Sequence, residues 1–476
     1  MPSPMTPAFL LSTFPQVLLP RLDPRRPITA RRGAFSPPAR VVVVGKAALA
    51  LASAIEETAA VGTRGFLLGP AHPTDAMIAP ARPLPWRGAH PGDSPSTAGS
   101  QAARHTSEPA RAGIEDQPPD QGILARLARA GWQVHRGDHP LPGPHTWQAT
   151  AQLIAFLTDL PATVPVVIVM SGGASALLAA PAPGLSQTDK RAAHAALIGS
   201  GRPITDLNVV RRHLSAVKGG GLLRPLVQRH SPVLVLALSD VPGNQPHDIG
   251  SGPFCPDPTT FADALEVASS LAGFPPRALE ILQEGVAGHR PETLKPDEVP
   301  AGLWTFELLG RPDDALTEAA ALLEAQGQAA NRLPWPLAGS PAVWANRFVD
   351  AASRQAVPVG VWHLAAGETE VNLPPQGPIG AGGRASTLAV TLGLALAEAG
   401  HRFDLGVLAT DGRDGSSTQA GGWLTTDDLA APDHRRAARE ALGRFDTATF
   451  LAERGRAWPG RPSPTNLGDL LLIRLS

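Results

Sequence analysis

Five stretches of the chain share one pattern: a short apolar run that stops abruptly at a small, acidic or cationic turn. They are Val41–Val44 followed by Gly45-Lys46, Val166–Met170 followed by Ser171-Gly172-Gly173-Ala174-Ser175, and Val233–Leu238 followed by Ser239-Asp240. The remaining two are Val359–Ala366 followed by Gly367-Glu368, and Leu405–Ala409 followed by Thr410-Asp411-Gly412. Runs this short and this uniformly apolar read as strands buried on both faces. Helices are expected between them: Pro7 to about Asp23, Ala47–Ala60, Ile123–Gly131, about Thr146 to Leu160, and Ala385–Gly400. Another helix is expected to run up to Gly219. It would put Val210, Leu214 and Val217 on one face and Asn208, Arg211, Ser215 and Lys218 on another. A last strand is expected at Leu470–Leu475, and the stretch from about Ala264 to Asn331 reads as a mostly helical connection.

Strands alternating with helices make an α/β protein. In open α/β sheets, ligands sit beyond the carboxyl ends of the strands. Those ends carry Lys46, Ser171, Asp240, Glu368 and Asp411 here, and they are expected together at one sheet edge.

Composition narrows the field. A chain of 476 residues has room for two or three domains. A net charge of −1 gives no footprint for nucleic acid or a membrane surface. The single cysteine, Cys255, excludes an intrachain disulfide and a cysteine-cluster zinc site. No apolar run reaches membrane-spanning length, and Phe9-Leu10-Leu11 lacks a preceding basic region, so a cytoplasmic protein is expected. Pro, Ala, Gly, Ser and His dominate from about residue 80 to 121, which reads as a mobile surface insertion.

The turns carry the chemistry. Ser171-Gly172-Gly173 lets the backbone bend sharply and offer N–H groups to an anion. Lys46, at a strand-to-helix turn, can hold a phosphate as a point charge, although the Walker A spacing is absent. The face bearing Asn208, Arg211 and Lys218 has no carboxylate and suits a carboxylate or phosphate ligand. Gly382-Gly383-Arg384 opens a helix and forms a second candidate anion site. Asp240 and Asp411 are candidates for a magnesium ion, the latter within Asp411-Gly412-Arg413-Asp414-Gly415, which lacks EF-hand spacing.

Taken together, these motifs resemble the glycerate kinases that make 2-phosphoglycerate, the family with a MOFRL C-terminal domain. The resemblance is carried by Gly45-Lys46-Ala47-Ala48, His139-Pro140-Leu141-Pro142, Ser171 through Leu178, and Asn208 through Gly220. It continues in Ser239-Asp240-Val241-Pro242-Gly243, Ser251-Gly252-Pro253, Pro256 through Phe261, Gly367-Glu368-Thr369, Gly382-Gly383-Arg384, Thr410-Asp411-Gly412 and Thr465-Asn466.

It implies a larger Rossmann-like N-terminal domain, about 1–290, and a smaller α/β MOFRL-type domain, about 291–476, with the active site in the cleft between them. It also implies MgATP-dependent phosphorylation of D-glycerate at the 2-hydroxyl, with Lys46 and Arg384 as the active-site cations. Ser171, Gly172, Gly173, Ser175, Asn208, Arg211, Lys218, Glu368 and Asn466 are then expected to bind substrate or nucleotide. The partners are ATP and the small acid, and a homodimer is left open.

Three departures from the family pattern stand out: Ala174 in place of a glycine, Gly143 in place of an acid, and Ala385-Ser386-Thr387 in place of Asn-Gln-Glu. Two other readings compete. A nicotinamide-dependent hydroxypyruvate reductase should show G-x-G-x-x-G after its first strand, and Gly45-Lys46-Ala47-Ala48 does not. A catalytically weak ligand-binding relative would bind nucleotide without releasing ADP.

Overall fold

The computed structural model describes residues 6–35, 39–59, 64–70, 120–139, 141–371, 379–460, 463 and 465–476. The expected insertion lies outside the described residues except for its last positions, which begin the helix Asp120–Arg129.

Two six-stranded sheets form the frame. The first contains β1 (Arg40–Val44), β2 (Arg64–Pro70), β3 (Gln133–Gly137), β4 (Val166–Met170), β5 (Val233–Leu238) and β6 (Trp304–Gly310). Its order is β3-β2-β1-β4-β5-β6 and every neighbouring pair is parallel. The order reverses between β1 and β4, so a crevice opens beyond their carboxyl ends, where Gly45-Lys46 and Ser171-Gly172-Gly173 lie.

The second sheet contains β7 (Ala330–Arg332), β8 (Trp362–Gly367), β9 (Phe403–Ala409), β10 (Gln419–Thr425), β11 (Ala457–Pro459) and β12 (Asp469–Leu475). Its order is β11-β10-β9-β12-β8-β7, antiparallel except for the β7–β8 pair.

The apolar runs are buried for the expected reason. Val41 and Val43 enter one core while Val42 and Val44 enter another on the opposite face of the sheet. The first of these cores is shared by both sheets: it joins Val41, Val43, Val169 and Leu238 to Leu364, Leu408, Leu470 and Leu472. Helices Pro7–Leu18 and Pro312–Ala325 contribute Leu10, Leu11, Phe14, Leu316, Ala319 and Leu323 to the same core. Trp458 Nε1 donates to Leu11 O at 2.8 Å, and Thr465 Oγ1 donates to Leu22 O at 2.8 Å, so the N-terminal segment is fastened to the second sheet. Apolar contact between the two sheets fixes the position of their strand ends. Among the described residues, no helix is long and apolar enough to cross a membrane.

The structure corrects three expectations. The five apolar runs do not share one sheet edge: three lie in the first sheet and two in the second. The stretch 264–331 is not only a helical connection, because it contains β6 and β7. Since β6 pairs with β5, the first sheet extends past the expected division at 290/291. The helix expected to reach Gly219 spans only Ile204–His213. The chain then leaves helical geometry, and Ser215 forms a bridge to Pro181.

Candidate active site

The turn after β4 is the hub. Ser171 is buried, and its Oγ accepts the Ala47 N–H at 3.1 Å, while Lys46 N–H donates to Gly172 O at 2.8 Å. The two strand-end turns of the first sheet are thereby locked together. Gly173 takes φ 83°, a left-handed conformation that costs a side chain more than it costs glycine. Ala174 therefore need not be glycine: it is the first residue of the short helix Ala174–Leu177, and the left-handed step falls one residue earlier.

The second sheet meets this hub from the opposite side. Asn466, just before β12, donates from Nδ2 to Asp240 Oδ2 at 2.8 Å. A Cβ on Gly172 would stand 1.6 Å from Asn466 Nδ2 and 2.3 Å from Asp240 Oδ2, so only glycine lets these groups close over the turn. Lys46 Nζ lies 3.2 Å from Asp411 Oδ2, beyond β9. Arg384 is the first residue of helix Arg384–Glu398. It holds Glu368 through two parallel bonds of 2.5 and 2.6 Å, and its Nε lies 3.4 Å from Asp469 Oδ2.

Two cations therefore stand among four carboxylates drawn from both sheets. Burial pushes the Glu368 carboxyl up to about 7, opposed by Arg384 and reinforced by Asp240. Burial also raises Asp240 and Asp469, against the pull of Lys46 and Arg384 on the first and Arg384 on the second. Burial works against the charge on Arg384, but Asp469 and Glu368 outweigh it and hold its proton more tightly than usual.

Asn208, Arg211, Ser175 and Lys218 also converge, though not along one helix face. Arg211 Nη2 donates to Ser175 Oγ at 2.7 Å, and Arg211 Nη1 donates to Asn208 Oδ1 at 3.3 Å. Lys218 Nζ, 4% exposed, reaches Ser175 O at 2.9 Å, Ser175 Oγ at 3.0 Å and Gly250 O at 3.2 Å. Ser215 does not join them; its Oγ donates to Ala180 O.

Sequence reasoning missed two positioning acids. Asp414 was grouped with a candidate metal loop. Instead, its carboxylate accepts the N–H groups of Ala385 and Ser386, each at 2.9 Å, and so fixes the start of the helix that presents Arg384. The Ser386 hydroxyl is used in the same way, bonding Thr447 Oγ1 at 2.8 Å and the Gly383 N–H at 3.1 Å. Asp469 begins β12 and was hidden at the edge of an apolar run; only its position at a strand start beside Asn466 signalled it. Gly143 precedes helix Pro144–Thr158, where a Cβ would come within 2.6 Å of the Asp138 carboxylate.

Among the described residues, no group of three acidic, histidine or cysteine side chains is arranged to hold a metal ion. Asp469 Oδ2 has only its 3.4 Å ion pair with Arg384 Nε, and four carboxylates face two cations, so the residues present fit a divalent ion. Magnesium that arrives with a nucleotide needs only one or two protein carboxylates, because phosphate and water fill its other positions. Asp240 and Asp411 fit that requirement; a complete protein-only cage is absent among the described residues.

Residues 27–283 match the family model described as a domain of unknown function, DUF4147, and residues 361–469 match the MOFRL family model. An Agrobacterium vitis protein provisionally named a hydroxypyruvate reductase is 32% identical over 351 residues, covering 72% of this chain and 87% of its own. A Thermotoga maritima protein named D-glycerate 2-kinase is 28% identical over 352 residues, covering 72% of this chain and 79% of its own. The crystal structure of glycerate kinase from Thermotoga maritima superposes with a TM-score of 0.69 at 23% identity, covering 98% of this chain and 99% of that one, which shows a common fold. With both family models matched in order on the two sheets, the chain belongs to the glycerate kinase family of DUF4147–MOFRL proteins.

Proposed function

We propose that this protein is an ATP-dependent D-glycerate 2-kinase, transferring the γ-phosphoryl group to the 2-hydroxyl to give 2-phosphoglycerate and ADP, with its active site between the two sheets. The observation that carries the reading is that Lys46, at the end of the first sheet, lies 3.2 Å from Asp411 of the second, while Arg384 holds Glu368 and Asp469 beside the Asn466–Asp240 bond that joins the two sheets. Phosphoryl transfer asks little covalent chemistry of a protein; it depends on positioning and on positive charge where negative charge develops. Lys46 and Arg384 supply that charge across the crevice. The Gly172-Gly173 turn brings backbone close to the reacting groups, and Glu368, its proton affinity raised by burial and its carboxyl aimed by Arg384, orients the attacking hydroxyl. Asp240 and Asp411 would hold the nucleotide's magnesium, which neutralises phosphate charge when bound.

The reductase name carried by some relatives finds less support in this chain. A dinucleotide pyrophosphate would sit at the turn after β1. That turn is filled: a Cβ on Gly45 would lie 2.1 Å from Ser171 Oγ, and the Ala47 N–H is already bonded to the same oxygen. A coupled assay of ADP release with D-glycerate, with the phosphoglycerate isomer identified by NMR, tests the proposal. Equimolar ADP and 2-phosphoglycerate are expected. Oxidation of NADH by hydroxypyruvate without ADP release would overturn the reading.

A further inference from the structure

Arg211 and Arg212 are neighbours in sequence with opposite circumstances. Arg212 is buried between two acids, 3.2 Å from Asp248 and 3.0 Å from Asp257, and serves the frame. Arg211 has no acidic partner among the described residues; its guanidinium bonds only Asn208 and the Ser175 hydroxyl. Lys218 likewise bonds only neutral oxygens, those of Ser175 and Gly250. A third cation, Lys190 on helix Gln187–Gly199, joins them, and among the described residues its ammonium bonds only Leu214 O, at 2.8 Å. Three clustered cations with no carboxylate bonded directly to any of them are costly in the free protein, and they call for an anion.

The neighbouring groups indicate a small anion. Ser251 bonds both Ser175 Oγ at 3.2 Å and Asn208 Oδ1 at 3.1 Å. It does so at φ 63°, a conformation unfavourable for serine that is tolerated where a site requires it. Asn208 and Ser251 are 3% and 1% exposed, so the hydroxyl and amide groups beside the cations are buried. The glycine turn suited to a polyphosphate faces away, toward Lys46 and His139: a Cβ on Gly173 would be 3.1 Å from Lys46 Cγ and from His139 Nε2.

Resting on the small-acid kinase reading above, we infer that Lys190, Arg211 and Lys218, with the hydroxyls of Ser175 and Ser251, bind the carboxylate of the acceptor acid, and that Lys190 is a specificity-determining residue for it. The electrostatics agree with a cluster that awaits an anion. Burial, with Arg211 nearby, brings the Lys190 ammonium down to about 7. Burial and the two neighbouring cations lower Lys218 well below the usual lysine range, and burial lowers Arg211 to about 10. His194, on the same helix as Lys190, is brought down to about 4 by burial and by the same three cations, so it adds no charge at neutral pH.

The test is calorimetric binding of D-glycerate, of neutral glyceramide and of ADP to the wild type, Lys190→Met and Lys190→Arg. Loss of one charge-assisted bond should weaken D-glycerate binding to Lys190→Met by about tenfold or more, with ADP binding within about twofold of wild type. Lys190→Arg should restore most of the D-glycerate affinity. The wild-type preference for D-glycerate over glyceramide should narrow by a similar factor in Lys190→Met. The melting temperature of unliganded Lys190→Met should not fall, since an unpaired cation has been removed. Unchanged D-glycerate binding, a loss confined to ADP, or a lower unliganded melting temperature with both affinities reduced would each overturn the inference. ADP release is scored separately. Lys190-dependent D-glycerate binding without ADP release sinks the kinase reading and leaves the pocket standing. ADP release with D-glycerate binding indifferent to Lys190 does the reverse.

Discussion

Gly172→Ala places one methyl group at the junction of the two sheets. The backbone itself tolerates the change, because Gly172 lies outside the left-handed region. The obstacle is steric: the new carbon would sit 1.6 Å from Asn466 Nδ2 and 2.3 Å from Asp240 Oδ2. Ordinary contact would require Asn466 to retreat by about 2 Å, breaking its 2.8 Å bond to Asp240 and moving the start of β12 away from the β4 turn. Overpacking of this kind costs about 1–3 kcal/mol, so the protein should still fold. A displacement of about 1 Å at reacting groups can cost about 10²-fold in rate, so kcat/KM for ADP release should fall by about 10²-fold or more. Gly273→Ala is the control: its φ of +71° adds strain of about 1 kcal/mol, but no atom lies within 4 Å, so only stability should change. Melting curves by circular dichroism and steady-state kinetics on both variants separate the effects. Gly172→Ala with a kcat/KM within about twofold of wild type would refute the claim that this turn holds the two strand ends in register.

Two further perturbations follow from side chains away from the reacting atoms. Asp414→Ala removes the acceptor for two N–H groups at the start of the helix bearing Arg384. It should lower stability by about 1–2 kcal/mol and reduce kcat; a full kcat would show that Arg384 is aimed by something else. His135, stacked on Phe66 with ring centroids 4.4 Å apart and its Nε2 unpaired, is pushed down to about 4 by burial. Its folded pKa lies below its unfolded value, so the unfolded chain binds the proton first as pH falls. Stability is then complete above about pH 6.5 and declines through pH 4 by up to about 3 kcal/mol. Chemical denaturation across that range should show the decline, and His135→Leu should flatten it.

The apolar runs of β1, β4, β5, β8 and β9 were legible because both faces of each are covered, which leaves the strand interiors almost wholly apolar, with His363 in β8 and Asp404 in β9 as the exceptions. Their polar ends were legible for the same reason: the pattern breaks where the strand leaves the core. β6 was not legible, since it is an edge strand whose residues are mostly half-buried and include Glu307. β10 was hidden by Gly421-Gly422, where β9 and β11 approach closely. The assignment of strands to two sheets was not legible because it depends on register between distant segments, and apolar runs carry no label of their partners. The convergence of Asn208, Arg211 and Lys218 was expected from helical periodicity but is reached after the helix has ended, through the bend that follows His213. Lys190 was missed because a lysine on an amphipathic helix ordinarily faces water; only the absence of an acid around it marks it out.

The central claim is that Lys46 and Arg384 act as one unit across the two sheets, and a double-mutant cycle on the rate of phosphoryl transfer tests it most directly. Lys46→Met and Arg384→Met should each reduce single-turnover ADP formation by about 10³-fold, and the double variant should lose little more than either alone. Near-native rates in either single variant, or losses that multiply in the double variant, would contradict the account.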